Sequence, residues 1–261
     1  MIKAFKKGVY KTVENFGLRA PYIILLFKVR SLLKLKSKEE KRLKEFYFRI
    51  LKTRSRLIFD IGANVGIRTS VFAEISDKVI ALEPNKELVG ILESRFSPNR
   101  VVVLDKACAA DSSSKEIYIG DNHLISSLSE DFIHHKTEYG LGNSWKRKEI
   151  VKTCSLDELI SDYGIPDFCK IDVEGFEKEV LKGLSKKIGM ISFEFNYPSF
   201  EQETLWCLSK LKDLGYTSFN FSMAETLEFY YENWVSFEEI SSLFRLNNTP
   251  FQNGYGDIYA S

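Results

Sequence analysis

The chain has 261 residues, 44% hydrophobic and 28% charged, which is enough apolar material for one sizeable core and enough charge for solubility. A net charge of +1 argues against a polycation built for nucleic acid. The charge is unevenly spread, however: residues 1–50 carry 14 Lys/Arg against 4 Asp/Glu, and the remainder 23 against 32.

The basic N-terminal region reads as helical. Phe5, Val9, Val13 and Phe16 share one face, and Gly17 to Pro21 break the pattern. Leu25, Leu26, Val29, Leu32 and Leu33 follow on a second helix, and Leu43, Phe46 and Ile50 on a third, highly charged one. The apolar run Tyr22–Phe27 is too short to span a bilayer and has no small-residue cleavage site behind it, so the expected location is cytoplasmic. The favoured reading of residues 1–50 is a helical annex packed on the body. An interfacial helix making peripheral contact with an anionic membrane is the alternative.

From residue 56 strands alternate with helices, and residues 51–261 read as one domain. A strand at 56–61 runs into Asp60-Ile-Gly-Ala-Asn-Val-Gly66, and a helix follows. Glycine and Asn tolerate left-handed backbone, and the helix start offers free N–H groups to an anionic group. Seventeen residues after Gly66, a second strand at 78–83 ends in Glu83-Pro84-Asn85. A carboxylate placed there can accept both hydroxyls of a ribose. The spacing Gly62-x-x-x-Gly66 lacks the third glycine of a dinucleotide fingerprint and suits S-adenosylmethionine better. Asp60 can face the ammonium of its amino-acid tail, and the loop N–H groups its carboxylate. An NAD-dependent oxidoreductase remains the less favoured cofactor reading.

A third strand spans 100–105. Lys115–Ile119 and Glu149–Cys154 alternate like edge strands, with a polar insert, Gly120 to Lys148, between them. Its His123, Ser126, Ser127, His134, His135, Tyr139 and Trp145 suit a lid over a sugar, although an ordinary surface loop explains it equally well. Ser155 and Glu158 form a capping box for a helix to Tyr163. Asp167–Val173 reads as a strand and the helix after it ends near Gly183. Ile188–Phe195 is the next strand, then a helix ending at Gly215, and strands at Tyr216–Ser222 and Tyr255–Ala260. Continuous apolar strands joined by helices imply a parallel sheet covered on both faces. Cys108, Cys154, Cys169 and Cys207 form no Cys-x-x-Cys pair and read as buried free thiols. The three histidines lack partners at zinc-site spacing, so no metal is assigned.

These motifs, with Ser126-Ser-Leu128, Cys154-Ser-Leu-Asp-Glu-Leu159 and above all Lys170-Ile-Asp-Val-Glu-Gly-Phe-Glu177 leading to Val180-Leu-Lys-Gly183, resemble the FkbM-type methyltransferases from about residue 56 onward. The resemblance implies an α/β, Rossmann-like, doubly wound seven-stranded sheet with an antiparallel last strand. It implies methyl transfer from S-adenosylmethionine to a hydroxyl of a sugar, glycan or other small natural product. Carried over, Asp60, Gly62, Asn64 and Gly66 would line the methionine end, Glu83 would hold the ribose and Asn85 would support its loop. Asp105 would lie near the adenine, and Ser127 would close over the cofactor. Asp172 or Glu174 would be the base, oriented by Lys170, which is two residues from Asp172 and so on the same strand face. A Mg²⁺ held by Asp172, Glu194 and Asn196 is an alternative. Asn196 departs from the His common in the family and cannot act as a base. A second function class is a non-catalytic adaptor docking through its basic N-terminus; the intact Asp60, Glu83 and Asp172 speak against it. No Asn-Pro-Pro-Tyr-like motif is present, so a nucleic-acid acceptor is not expected.

Overall fold

The computed structural model describes residues 38–120, 126–138, 145, 147–245 and 254–261. The two helices expected before Lys38, together with His123 and Tyr139, lie outside the described residues, as does the side chain of His135.

Helix α1 (Lys38–Leu51) leads into strand β1 (Ser55–Ile61), helix α2 (Ile67–Ile75) and strand β2 (Ser76–Leu82). Helix α3 (Lys86–Arg95) and strand β3 (Val101–Leu104) complete the first half. The second half runs from α5 (Leu156–Tyr163) and β8 (Phe168–Ile171) through α6 (Glu177–Lys182), β9 (Met190–Tyr197), α7 (Glu201–Asp213), β10 (Phe219–Met223) and α8 (Phe237–Arg245) to β11 (Gly254–Ala260). Together the long strands form one seven-stranded sheet in the order β10-β11-β9-β8-β1-β2-β3. The strands β3, β2, β1, β8 and β9 are parallel, while β11 runs antiparallel to both β9 and β10. The fold is therefore the expected Rossmann-like α/β sheet with an antiparallel last strand.

Period-two side-chain alternation divides the core. From β1, Leu57, Phe59 and Ile61 point to the face covered by α5, α6, α7 and α8, where Leu156, Val180, Leu208 and Phe244 are buried. Ile58 points the other way, into a core shared with Phe72 of α2 and with Leu43, Phe46, Tyr47 and Ile50 of α1. The apolar face of the charged third helix thus packs on the main sheet, and Tyr47 is fully buried against Phe72 and Phe168.

The insert holds more structure than its polar sequence suggests. Strands β4 (Ala107–Cys108), β5 (Ser114–Ile119), β6 (Ser126–Ser127) and β7 (Arg147–Cys154) form a separate sheet, and helix α4 spans Glu130–Glu138. Phe132 of α4 is fully buried and lies against Gly175, in the turn after β8. Helix α8 also went unnoticed in the sequence. The capping box is as expected: Ser155 accepts from the Glu158 backbone N–H, and the Glu158 side chain accepts from the Ser155 backbone. All four cysteines are free and buried.

Candidate active site

Open parallel sheets bind ligands beyond the carboxyl ends of their strands. A cavity of about 370 Å³ lies there in this chain, within the usual size range of small-molecule sites. The loop after β1 forms its floor. Gly62, Asn64 and Gly66 all have positive φ, at 86°, 53° and 77°. At Gly62 a Cβ would run into the carbonyl of Asp172, so glycine is what lets the β1 loop approach the end of β8. At Gly66 it would meet Leu92 and Phe96 of the α3 region. Gly66 therefore serves packing and the start of α2, and it does not line the cavity.

Glu83 is buried on the cavity wall, its two oxygens accepting the backbone N–H groups of Asn64 and Asn85 at 2.9 Å each. Burial pushes its carboxyl up to about 7, against the pull of those two N–H groups. The bonds tie the loops after β1 and β2 together. Asn85 caps α3 by accepting from Glu87 N–H, and its own amide reaches Ser126 at 3.4 Å. It supports the Glu83 loop from behind and does not line the cavity. Asp60 lines it, is raised to about 6 by burial, and accepts from the Thr69 hydroxyl at 2.6 Å.

Asp105, just past β3, is exposed and does not line the cavity, where Lys106, Ala107 and Cys108 stand instead; its charge still acts on Glu83. Ser127 lines the cavity, is buried, and donates to the Glu174 carbonyl at 2.7 Å. It fastens the insert to the turn after β8.

That turn carries Asp172 and Glu174, both on the cavity wall. Glu174 has a left-handed backbone, φ 55°. The turn is braced by Glu177, which accepts from Val173 and Gly175 N–H. Lys170 lies on the same side of the strand as Asp172, as their two-residue spacing requires. It is fully buried behind the wall, so it cannot touch a ligand and acts as a positioning residue. Its ammonium lies 3.3 Å from Asp172 and 2.9 Å from Asp257 of β11, and donates to the Ile171 carbonyl at 3.0 Å. To reach β11 it crosses β9, where its register partner is the small Ser192.

Arg68 of α2 adds a second cation, 3.4 Å from Asp172, 3.7 Å from Glu225 and 3.9 Å from Asp257. Burial alone would raise the Asp172 carboxyl, but Lys170 and Arg68 hold it below the usual carboxylate range. Glu194 behaves oppositely: burial, then the charges of Asp172, Glu174 and Glu177, push it well above its ordinary value. Two carboxyls on one wall are thus driven in opposite directions by their surroundings. Asn196 faces away from this cavity, its amide 3.4 Å from Glu194. Among the described residues no group of three His, Cys, Asp or Glu is placed to hold a metal ion.

The sequence pointed to Asp60, Glu83, Asp172 and Glu174, but not to Arg68, Asp257, Glu225, Tyr255 or Glu39. Arg68 stood inside the loop motif, and Asp257 was an acid in an otherwise apolar strand, which is itself a signal of a buried ionic partner. The other three reach the cavity only through tertiary packing.

Residues 60–248 match the model of the methyltransferase FkbM domain, and this span runs from the first cavity residue of β1 to past α8. The chain belongs to the FkbM methyltransferase family. Its similarity to the hexuronic acid methyltransferase AglP of Haloferax volcanii is 27% identity over 139 residues, 52% of this chain and 53% of that protein. The chain thus matches about half the length of this curated relative. Among solved structures, the methyltransferase FkbM of Methylobacillus flagellatus overlaps with a TM-score of 0.44 at 15% identity, over 80% of this chain and 44% of that one. A SAM-dependent O-methyltransferase from Thermotoga maritima overlaps with a TM-score of 0.40 at 13% identity, over 84% and 64%. No helix among the described residues of this FkbM-family chain is long and apolar enough to cross a membrane.

Proposed function

We propose that the protein is an S-adenosylmethionine-dependent O-methyltransferase whose acceptor is a hydroxyl of a sugar, glycan or similar polyhydroxy compound. The observation that carries this reading is the single cavity joining Glu83 at one end to Asp172, Glu174 and Glu194 at the other. The donor set fits the cofactor. An ionised carboxylate has about four acceptor positions, and the two backbone bonds of Glu83 leave enough for two ribose hydroxyls. Asp60 would face the ammonium of the methionine tail; the N–H groups of Gly62, Ala63 and Asn64 already donate to Leu82 and Glu83, so in this loop the carboxylate of the tail would take over Val65 N–H from the Asn64 side chain. Ala107, Cys108, Ile117 and Leu128 offer an apolar bed for the base.

When bound, the cofactor would supply a methyl group on a sulfonium, an electrophile whose leaving group needs no protonation. The protein must then align a hydroxyl and take its proton. Asp172 is the candidate base: it lies on the wall, it is ionised, and Lys170 and Arg68 fix its direction. Glu174, two residues on, is the alternative base. Glu194, on the same wall, can hydrogen-bond a neighbouring hydroxyl of the acceptor. Both cations lie against Oδ2 of Asp172, which leaves Oδ1 for the acceptor proton, and Asn196 does not line the cavity, which disfavours a Mg²⁺ shared with it. The AglP relative acts on a hexuronic acid, which supports a sugar acceptor as the class. Four buried free thiols suit a reducing compartment such as the cytoplasm.

Titration calorimetry is the test. S-adenosylmethionine and S-adenosylhomocysteine should both bind the wild type, and Glu83→Ala should abolish binding. Tight binding of NAD with neither of these would replace the reading by an oxidoreductase. A folded protein that binds none of the three would favour the adaptor.

A further inference from the structure

We infer that this site, taken as the hydroxyl methyltransferase proposed above, selects an acceptor without negative charge: a neutral or amino sugar rather than a uronate or a phosphosugar. The inference rests on the wall opposite the Glu83 end. Besides Asp172, Glu174 and Glu194, that wall includes Glu39 of α1, Glu225 in the turn after β10, and Tyr255 of β11. Recognition of a carboxylate or phosphate calls for a cation, best an Arg fork with free N–H groups. Among the described residues, Arg68 and Lys106 are the cations on the cavity wall. The charge of Arg68 is met by three carboxylates, Asp172, Glu225 and Asp257, at 3.4, 3.7 and 3.9 Å, and its unpartnered Nε is buried, so it presents no open fork to a ligand. Lys106 stands at the other end, beside Ala107 and Cys108. An anionic acceptor would meet like charges and find no partner, whereas hydroxyl and ammonium donors would meet carboxylate acceptors.

The acidic wall is built into the fold. Arg42 and Arg49 of α1 donate to the carbonyls of Thr226 and Leu227, at 2.8 and 3.3 Å, and Phe46 packs edge-on against Phe229 at 5.5 Å between ring centroids. Helix α1 and the 224–229 turn therefore hold Glu39 and Glu225 in fixed places. Helix α1 precedes the residues matched to the family and Tyr255 follows them, whereas Glu225 lies among them.

The experiment offers the full chain labelled S-adenosylmethionine and nitrophenyl glycosides of gluco, galacto and manno configuration, each as the neutral, 2-amino and uronate form. In the configuration that reacts best, the neutral or amino form should exceed the uronate by about tenfold or more, a factor that one like-charge contact at the rim supplies. Glu39→Lys should shift the ratio toward the uronate by about tenfold, and Glu225→Gln should shift it less. Cofactor affinity by calorimetry should stay unchanged in both. A uronate turned over best by the wild type overturns the inference. So does a ratio that Glu39→Lys leaves alone, or a protein that binds the cofactor and methylates none of the nine. Failure to bind the cofactor at all defeats instead the underlying methyltransferase reading.

Discussion

Replacing Lys170 by Met tests the ionic core of the site. The ammonium is fully buried and sits between Asp172 and Asp257, at 3.3 and 2.9 Å. Met preserves most of the stem and its packing, so the loss is chiefly of charge. Two carboxylates would then share Arg68, at 3.4 and 3.9 Å. Breaking a buried pair from one side costs about 3–5 kcal/mol. The Asp172 side chain is 21% exposed, so water recovers part of that, and about 3 kcal/mol is expected at pH 7. For a domain of this size that amounts to a melting temperature lower by about 6–12 °C. The sign of the pH dependence is the sharper check. In the wild type Asp172 is held below its ordinary value, so its contribution is present above the unfolded carboxylate range, near pH 4, and is lost as pH falls through its folded value. Without Lys170 the same carboxyl should rise, take up a proton nearer neutrality, and regain stability on acidification. The gap between wild type and variant should therefore be widest at pH 7–8 and narrow toward about pH 5. Denaturant unfolding at four pH values measures it. A loss below about 1 kcal/mol, or a gap that is flat with pH, would refute the view that Lys170 neutralises the Asp172–Asp257 pair.

Other substitutions probe the remaining parts. Asp172→Asn should lower the single-turnover rate by about 10²–10⁴-fold with little change in cofactor affinity. Near-normal turnover there, with collapse in Glu174→Gln, would move the base to Glu174. Gly62→Ala forces a side chain onto the Asp172 carbonyl at φ 86°, and left-handed strain plus overpacking predict a loss of about 2–5 kcal/mol, read by thermal melting; an unchanged melting temperature would mean that the β1 loop moves freely. Because burial raises Glu83 to about 7, S-adenosylmethionine affinity should strengthen as pH rises through that value and the carboxylate ionises. Calorimetry between pH 6 and pH 8 would show it, and a flat profile would remove Glu83 from the ribose site.

The elements that were legible in the sequence have local causes. Apolar runs marked β1, β2, β8 and β9, because strands buried on both faces leave little choice of residue. Ser155 and Glu158 announced α5 through a cap that needs only neighbours. Asp172 and Lys170 were paired by their two-residue spacing alone. What stayed hidden depends on contacts distant in sequence. Asp257 meets Lys170 only because β11 inserts next to β9, and Glu39 reaches the cavity only because α1 docks on the sheet. The insert looked structureless because α4 is short and polar; its apolar anchor among the described residues, Phe132, is recognisable only once Gly175 is seen to leave space for it. At the end of β3 the sequence carries no sign that Lys106, rather than Asp105, lines the cavity.

Strand β6 is two residues long, and those residues fasten different halves of the molecule. Ser126 meets Asn85 behind the Glu83 loop, and Ser127 meets Glu174 after β8. Neighbouring side chains on a strand point to opposite sides, so a one-residue slip of β6 against β5 would exchange the two serines' directions and undo both fastenings. Across descendants of this chain, length changes between α4 and β7 should therefore be tolerated better than any change to the pairing of Ser126 and Ser127 with β5. The insert can be rewritten on that side while the serine clasp is inherited unchanged.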